Sequence, residues 1–251
     1  MKSGLVSIIT PTFNSEKYIL ETIQSVIKQT YSNWEMIIVD DCSTDSTFSL
    51  LTLQAELEPR IKVLKLAKNS GAGVARQLAL DNSNGNYIAF LDSDDMWKPE
   101  KLQVQIDFLK TNNLAITFSG YELIDEKSNP LRKLILPKKQ VTYKELFYCN
   151  WIGNLTGIYD VTKIGKIPIS TFRKRQDWIM WLEVLKIEKV AFSTPNNLAY
   201  YRIRKDSISA SKLQLLKSNY LVYYNYHKQN VVSSFFSMLV FLYNQLIVKK
   251  N

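Results

Sequence analysis

Two carboxylates separated by one residue, Asp92 and Asp94, follow directly after the apolar residues 87–91. Because residues 87–91 are predicted to form a buried strand, both carboxylates should lie at its end. Crowded carboxylates repel each other unless a cation lies between them, and Mg²⁺ and Mn²⁺ prefer oxygen ligands. A divalent cation there can also bind phosphate oxygens and stabilise a nucleoside diphosphate leaving group. The sequence therefore predicts a Mn²⁺ or Mg²⁺ site formed by Asp94 and Asp92.

Two further polar clusters follow two other apolar runs, at residues 11–14 and at residues 40–43. Phe13 offers a flat face for a nucleotide base, and Asp41 can accept a hydrogen bond from a ring N–H. Arg76 lies in a predicted helix that begins near residues 71–73, where helix N–H groups attract phosphate. Taken alone, each cluster is also compatible with ordinary helix caps and turns. Together they predict a nucleoside diphosphate site.

Strands and helices alternate over residues 1–110 and would bring these clusters together. Strands are predicted at residues 5–10, 34–39, 61–66 and 87–91, with helices at residues 16–28, 70–80 and 100–110 and another that begins at residue 44 or 45. This alternation is typical of a mostly parallel sheet with helices on both faces. Ligands of such sheets bind at the carboxyl ends of the strands. We expect an α/β fold with a Rossmann-like sheet.

The composition excludes several classes of protein. The chain has 251 residues, 46% of them hydrophobic and 22% charged, which is typical of a globular protein. Two cysteines and one histidine exclude a disulfide scaffold and any site that needs two imidazoles. No phosphate loop of the Gly-x-x-x-x-Gly-Lys type and no Gly-x-Gly-x-x-Gly run is present, which argues against an ATPase and a dinucleotide oxidoreductase. The net charge of +9 suits phosphorylated substrates or an anionic membrane.

The last segment, residues 213–251, has a different pattern. It has no proline or glycine, and apolar residues recur at helical spacing from Val231 to Ile247, flanked by Lys228, Lys249 and Lys250. Since the stripe is short for a spanning helix and carries several polar residues, we expect it to lie on an anionic membrane surface. The alternative is a helix docked on the protein's own core. We divide the chain at residues 1–110, 111–212 and 213–251, the last of which is a helical tail.

Three runs resemble the family 2 glycosyltransferases, which are inverting, metal-dependent enzymes of GT-A fold. The runs are VSIITPTFNSEKYILETIQSVIKQTYSNWEMIIVDDCSTDST, NSGAGVARQLAL and GNYIAFLDSDDMWKPEKL. The similarity is close over residues 5–110 and looser to about residue 212. The second half, with RKRQDWIMWLEVL and YYRIRKDSISASK, resembles enzymes that build capsule, O-antigen or teichuronic acid.

The resemblance implies that residues 1–110 are the nucleotide-sugar half and residues 111–212 the acceptor half, and it implies a role for each matched position. It implies that Asp94 and Asp92 bind the metal and that Asp177 is the catalytic base. Arg204 stands where some relatives have a histidine, and an arginine can pair with phosphate but cannot ligate a metal. The residues expected to bind the nucleotide-sugar are Pro11, Thr12, Phe13, Asn14, Asp40, Asp41, Arg76, Asp92, Ser93 and Arg204.

The residues around Asp177 allow a second interpretation. An attacking sugar hydroxyl must lose a proton, which a carboxylate within hydrogen-bond reach can accept. An aspartate at a predicted helix start can equally be a cap. Gln176, Trp178 and Trp181 are candidate acceptor contacts, although core packing is the alternative for the indoles.

These observations predict transfer of a sugar from a UDP-sugar to a lipid-linked saccharide on the inner face of the cell membrane. A nucleotidyltransferase and a catalytically silent, membrane-tethered partner of a synthase complex remain alternatives. A nucleic-acid binder is disfavoured because the positive charge is dispersed and no recognition motif is present.

Overall fold

The computed structural model describes residues 2–204 and 212–249. The first half alternates as expected, because its apolar runs form strands that are covered on both faces; all seven positions of the second strand, for example, are buried. Its elements are β1 (Lys2–Thr12), α1 (Ile19–Ile27), β2 (Trp34–Asp40), α2 (Thr47–Leu57), β3 (Ile61–Lys65), α3 (Ala72–Asp81) and β4 (Gly85–Phe90). The strand and helix positions predicted for this half are confirmed, with ends that differ by a few residues.

The second half is less regular and contributes short strands to the same sheet. Its elements are β5 (Met96–Trp97), α4 (Lys101–Thr111), β6 (Ile116–Ile124), β7 (Pro130–Ile135), β8 (Gln140–Thr142), α5 (Tyr143–Tyr148), a 3₁₀ turn (Asn154–Thr156), β9 (Ile158–Asp160), α6 (Val161–Ile164), α7 (Gln176–Glu188) and β10 (Val190–Arg202). The last strand is long, since it begins at Val190 and pairs with both β6 and β8.

One sheet runs through both halves, with the strand order β3-β2-β1-β4-β9-β6-β10-β5. The strands β3, β2, β1 and β4 are mutually parallel, as are β6 and β10. The strand β9 joins these two parts and is antiparallel to both β4 and β6. The predicted parallel sheet is therefore found in the first half, and the second half makes the sheet mixed.

Alternate side chains of β1 point into two separate cores, as expected for a sheet covered on both faces. Ile9 belongs to the core that also contains Trp178 of α7. Ile8 belongs to the other core, with Ile23 of α1 and Leu102 of α4. The helix α7, which carries Asp177, is thereby fixed to the face opposite α1 and α4.

The tail is a pair of helices and not the single helix expected from its composition. The segment α8 (Lys212–Leu221) continues as a π-helix (Val222–Tyr226), and α9 (Val231–Tyr243) continues as a second π-helix (Asn244–Val248). The chain turns between them, because Lys228 has φ 56° and the Asn230 side chain accepts a hydrogen bond from the Ser233 N–H and starts α9. Lys250 and residues 205–211 lie outside the described residues.

The helix α9 packs on the protein through a narrow stripe that includes Ser234, Ser237 and Phe241. Most of its apolar side chains are exposed instead: Val231, Val232, Phe235, Phe236, Leu239, Val240, Tyr243, Leu246, Ile247 and Val248. Within the described part of the chain, Val231–Val248 is the one helix whose length and mean hydropathy of 1.8 would suffice to cross a membrane. Only 17% of it is buried against the protein.

Candidate active site

The carboxyl ends of β2, β1 and β4 meet at one edge of the sheet. The three strands are neighbours, and the register pairs Thr12 with Asp40 and Ile9 with Phe90. The loops that follow them carry the three polar clusters singled out in the sequence. The structure thus brings the clusters together, as the alternation of strands and helices predicts.

Arg76 of α3 joins the strand-end carboxylate Asp92 to the helix α7. One guanidinium nitrogen of Arg76 donates to Asp92 Oδ1 at 2.6 Å, and another donates to Gln176 Oε1 at 2.8 Å. Burial disfavours the charged guanidinium, but the nearby carboxylates of Asp92 and Asp177 raise the pKa of Arg76 above its usual value. Arg76 therefore stays charged inside the protein and ties the two halves of the site together.

Gln176 contributes to this bridge and is not available to an acceptor sugar. Its side chain is buried, and besides accepting from Arg76 it donates from Nε2 to the Phe172 carbonyl oxygen at 2.5 Å. A side chain on Gly73 of α3 would collide with it, at 2.5 Å from Nε2. The expectation that Gln176 contacts an acceptor sugar is therefore corrected, since both the oxygen and the nitrogen of its amide bind other groups of the protein.

Asp94 forms an ion pair with Arg204, whose Nε lies 2.9 Å from Asp94 Oδ2. Burial raises the pKa of Asp94, the Arg204 charge opposes this, and the negative charge of Asp92 raises it further. The next residue, Asp95, is fully enclosed and accepts from the Arg202 backbone N–H at 2.9 Å. Burial and the neighbouring carboxylates raise the pKa of Asp95 well above its ordinary value.

The crowding of these carboxylates fits a divalent cation. Asp92 and Asp94 supply hard oxygen ligands, and the raised pKa of Asp94 indicates negative charge that a cation would stabilise. Each of the two arginines contacts one oxygen of its carboxylate, so the second oxygen can serve a metal. Over residues 2–204 and 212–249, no group of three or more His, Cys, Asp or Glu side chains is arranged around a metal position. Donor phosphates and water would have to complete the coordination.

The loops after β1 and β2 form the wall next to these carboxylates. Phe13 is 45% exposed, so its ring is open to a base. Asn14, at φ 47°, donates from its backbone N–H to Ser43 Oγ at 2.9 Å and accepts from the Thr44 N–H at 2.9 Å. These contacts join the two loops and hold Phe13 at the mouth of the site.

Pro11, Thr12 and Ser93 lie beneath this wall and not on its surface. Pro11 and Thr12 are buried in β1, and Thr12 accepts the Asp41 backbone N–H at 2.8 Å. The Ser93 hydroxyl is buried against the Ser15 hydroxyl, 2.8 Å away. These three side chains are covered by the chain itself, which suits backbone contacts and support of the loops, and their place in the nucleotide site stays a prediction.

The carboxylates of Asp40 and Asp41 hold loops in place. Asp40 is fully buried and accepts from the backbone N–H of Ser43 at 3.1 Å. Asp41 accepts from the backbone N–H groups of Ser70 at 2.6 Å and of Gly71 at 2.7 Å, just before α3. Each oxygen of Asp41 accepts one backbone N–H, which holds the loop before α3, and the contact of Asp41 with a uracil ring, with Asp40 beside it, stays a prediction.

Asp177 lies in the first turn of α7, half-buried, next to the same edge of the sheet. Arg175 precedes the helix in a left-handed conformation, with φ 68°, which turns the chain sharply at this point. Asp177 Oδ2 accepts a hydrogen bond from Nδ2 of Asn150 at 3.0 Å. Asn154, four residues after Asn150, donates from Nδ2 to Asp92 Oδ1 at 3.4 Å. The segment between α5 and β9 thus contacts both Asp177 and Asp92.

Trp178 and Trp181 belong to the core. Both rings are fully buried. Trp178 packs against Tyr223 and Phe241 of the tail, with ring centroids 5.6 and 4.7 Å away, and Trp181 packs edge-on against Phe90 at 5.9 Å. This corrects the expectation that they form the floor of an acceptor site, because an enclosed ring has no face for a sugar.

The end of the tail reaches the loop that holds Asp177, a contact that the sequence does not reveal. Lys249 Nζ donates to the Asn150 carbonyl oxygen, and Asn244 Nδ2 donates to the Tyr148 carbonyl oxygen at 3.3 Å. Arg175 donates from Nε to Asn219 Oδ1 of α8 at 2.7 Å. Lys249 and Asn150 are about 100 residues apart in the chain, and no local sequence pattern marks either of them.

Solved structures share this architecture. Staphylococcus aureus TarS 1–349 in complex with UDP-GlcNAc superposes with a TM-score of 0.72 at 22% identity, over 94% of this chain and 71% of that one. The mannosyltransferase PcManGT from Pyrobaculum calidifontis, in complex with GDP-Man and Mn²⁺, gives a TM-score of 0.70 at 16% identity, over 96% and 70% of the two chains. The fold is the GT-A fold of nucleotide-sugar-dependent transferases.

Sequence comparison gives the family. Residues 7–169 match the family described as "Glycosyl transferase family 2". TuaG of Bacillus subtilis (strain 168), named for glycosyl transfer in teichuronic acid biosynthesis, is 43% identical over 82% of this chain and 81% of its own. The Escherichia coli UDP-Glc:alpha-D-GlcNAc-diphosphoundecaprenol beta-1,3-glucosyltransferase WfgD is 38% identical over 83% and 81%. The chain belongs to glycosyltransferase family 2, and its relatives act in bacterial polysaccharide biosynthesis.

Proposed function

We propose that the protein transfers a sugar from a UDP-sugar to a lipid-linked saccharide in the synthesis of a bacterial surface polysaccharide. The observation that carries the proposal is the convergence of Asp92, Asp94 and Asp177 at one edge of the sheet. Arg76 links Asp92 to the start of α7, and a single loop contacts Asp92 and Asp177. Transfer needs the group that binds the donor phosphates and the group that accepts the proton of the attacking hydroxyl to be held in one site.

The donor half of the site supports a nucleoside diphosphate sugar. The exposed ring of Phe13 can stack on the base, and Arg204 beside Asp94 can pair with a phosphate. A uridine donor is supported by the printed name of WfgD and by the UDP-GlcNAc bound to TarS. A Mn²⁺ or Mg²⁺ ion held by Asp94 and Asp92 would neutralise charge on the departing UDP.

The acceptor half supports direct displacement with inversion at the anomeric carbon. Asp177 accepts the proton of the attacking hydroxyl, which raises the nucleophilicity of its oxygen as the bond to the sugar forms. The hydrogen bond from Asn150 holds the Asp177 carboxylate in one orientation before the acceptor arrives. Burial of Gln176 and Trp178 on either side fixes the helix turn from which Asp177 projects.

The tail supports a position on the inner face of the cell membrane. Its apolar side chains are exposed along α9, while Phe241 packs on Trp178 and holds the helix against the protein. A helix attached along one side cannot cross a bilayer without drawing the charged domain into it. A position in the interface, with the exposed side chains in lipid, therefore fits better than a spanning one.

The test is transfer from a panel of nucleotide sugars to a short-chain lipid analogue of a diphosphate-linked N-acetylglucosamine, with and without Mn²⁺. We expect activity with one UDP-sugar. Asp177→Asn should retain donor affinity and lose transfer at least about 100-fold, in keeping with a general base. Asp94→Asn should lose metal-dependent donor binding.

The matched control is Asp107→Asn, which makes the same change at an exposed position of α4 and should behave as the wild type. Full activity of Asp177→Asn would contradict the assigned base. Failure of every nucleotide sugar to bind would favour the silent-partner alternative.

A further inference from the structure

An open cavity of about 230 Å³ lies between α5 and the end of the tail, outside the site described above. Trp151 and Tyr148 form part of its wall, and Val248 of the tail closes one side. Lys138 and Lys144 stand on its rim and are both exposed. The cavity therefore combines aromatic surface with amines, and neither group has a role in donor binding.

The charge around this cavity is positive. Lys138 Nζ lies 5.2 Å from the centroid of the Trp151 ring, and Lys249 Nζ lies 5.8 Å from the same centroid. Glu145 pairs with Lys138, but it is also held by the cap of α5, where its carboxylate accepts the Thr142 N–H at 2.9 Å. Two lysine side chains, Lys138 and Lys144, thus line the cavity with one carboxylate, and the excess charge suits an anionic ligand.

The cavity is next to the expected catalytic base. Trp151 follows Asn150, whose side chain donates to Asp177 at 3.0 Å. On its other side, Val248 continues the exposed apolar surface of α9. A molecule in the cavity would lie against Trp151, the neighbour in the chain of the asparagine that contacts Asp177, and against Val248 at the surface that we propose to face lipid.

We propose that this cavity binds the diphosphate of a lipid-linked acceptor, with phosphate oxygens on Lys138 and Lys144 and the adjoining sugar against Trp151. The lipid leaves the cavity past Val248 along the exposed face of α9. This inference rests on the proposed function and adds the place and the chemistry of acceptor binding. Aromatic rings suit the apolar faces of sugars, and lysine amines suit phosphate.

The probes are farnesyl diphosphate and inorganic pyrophosphate, added to the full chain with saturating UDP and Mn²⁺ so that the donor site is filled. We expect farnesyl diphosphate to bind and to change the tryptophan fluorescence, with a signal that Trp151→Phe removes. Lys138→Gln/Lys144→Gln should weaken binding at least about tenfold. The control Lys110→Gln/Lys127→Gln removes the same charge from exposed positions elsewhere and should leave the affinity unchanged.

Comparison of the two probes distinguishes a lipid-linked diphosphate from a free one. Weaker binding of pyrophosphate than of farnesyl diphosphate supports a lipid-linked ligand, whereas equal binding of the two, or preference for vesicles of anionic phospholipid, overturns that assignment. Equal loss in the cavity and control variants also overturns it. Binding of a UDP-sugar in the same preparations tests the proposed function separately. If the UDP-sugar binds and the cavity variants still bind farnesyl diphosphate normally, the proposed function stands and the cavity assignment is overturned.

Discussion

Asp177 Oδ2 accepts a hydrogen bond from Asn150 Nδ2 at 3.0 Å, and the carbonyl oxygen of the same asparagine accepts one from Lys249 at the end of the tail. Asn150 thus connects the expected base to a segment that is remote in sequence. The orientation of the base depends on a loop that is held from both sides. Several consequences of the structure can be measured.

Asn150→Ala should lower the rate of transfer about tenfold and leave donor affinity unchanged. The variant removes the donor that orients Asp177, while the donor site lies on the other side of Arg76. Steady-state kinetics with donor and acceptor varied separately will show whether kcat falls without a change in the donor KM. Asn196→Ala, at an exposed position of β10, is the control. A rise in the donor KM with unchanged kcat would contradict a positioning role.

Arg76→Lys should lose stability by about 1–2 kcal/mol and activity by at least about tenfold, although the charge is kept. Lysine carries a compact ammonium and cannot hold Asp92 and Gln176 in one planar fork. Urea unfolding and initial rates measure the two effects. Arg132→Lys, at an exposed position of β7, should change neither. Wild-type behaviour of Arg76→Lys would mean that the bridge is dispensable.

Gly157→Ala should destabilise the protein by about 1–3 kcal/mol, because the added Cβ would lie 2.3 Å from the Trp181 ring and a packed core resists such insertion. The backbone is not the cause, since Gly157 has φ −83°. Gly153→Ala is the matched control, with no neighbour closer than 3.4 Å to its added Cβ. Equal melting temperatures for the two variants would show that the indole can move aside.

Lys101→Met should remove a pH dependence of stability that the wild type shows between about pH 7 and 10.5. Burial lowers the pKa of Lys101 to about 7, so the unfolded chain holds this proton more tightly than the folded one. The free-energy cost of burying the charged Lys101 amine is complete below pH 7 and fades between about pH 7 and 10.5. The stability of the wild type should therefore rise over this range relative to the variant. Urea unfolding across this range checks the slope. Lys110→Met, exposed on the same helix, should show no such change.

Phe235→Ser/Phe236→Ser should abolish most binding to vesicles that contain anionic lipid, because both rings are exposed on α9 and would enter the interface. Flotation with the wild type gives the reference. The double change Leu53→Ser/Leu57→Ser removes two exposed apolar side chains from α2 and should float normally. Equal binding of all three proteins would place the membrane contact elsewhere.

The sequence predicts the first half of the fold well because its signals are local. Apolar runs, each ended by Pro11, Asp40 or Asp92, mark the strands and the edge at which they meet. Asp92 and Asp94 could be found in the same way. The strand β9 has three residues and lies between β4 and β6 through pairing with strands distant in sequence, which no local pattern encodes.

The remaining parts of the site depend on long-range contacts. Spacing alone does not show that Asp40 and Asp41 are satisfied by backbone donors or that Arg76 reaches Gln176 across 100 positions. The break in the tail at Lys228 has no proline or glycine to mark it. The two tryptophans could be placed on α7 but not inside the core, since Trp178 is covered by Tyr223 and Phe241 and Trp181 packs against Phe90.

Trp178 follows Asp177 directly and is covered by the tail, so the tail, which we propose to be the membrane anchor, cannot be exchanged as an independent module. A chimaera that replaces residues 212–249 with an unrelated amphipathic helix would leave that indole bare in the turn that carries the base. A functional graft must therefore supply an aromatic cover in the place of Tyr223 and Phe241. Within this family, we expect diversification of the anchor to be accompanied by matching changes in the turn next to the base.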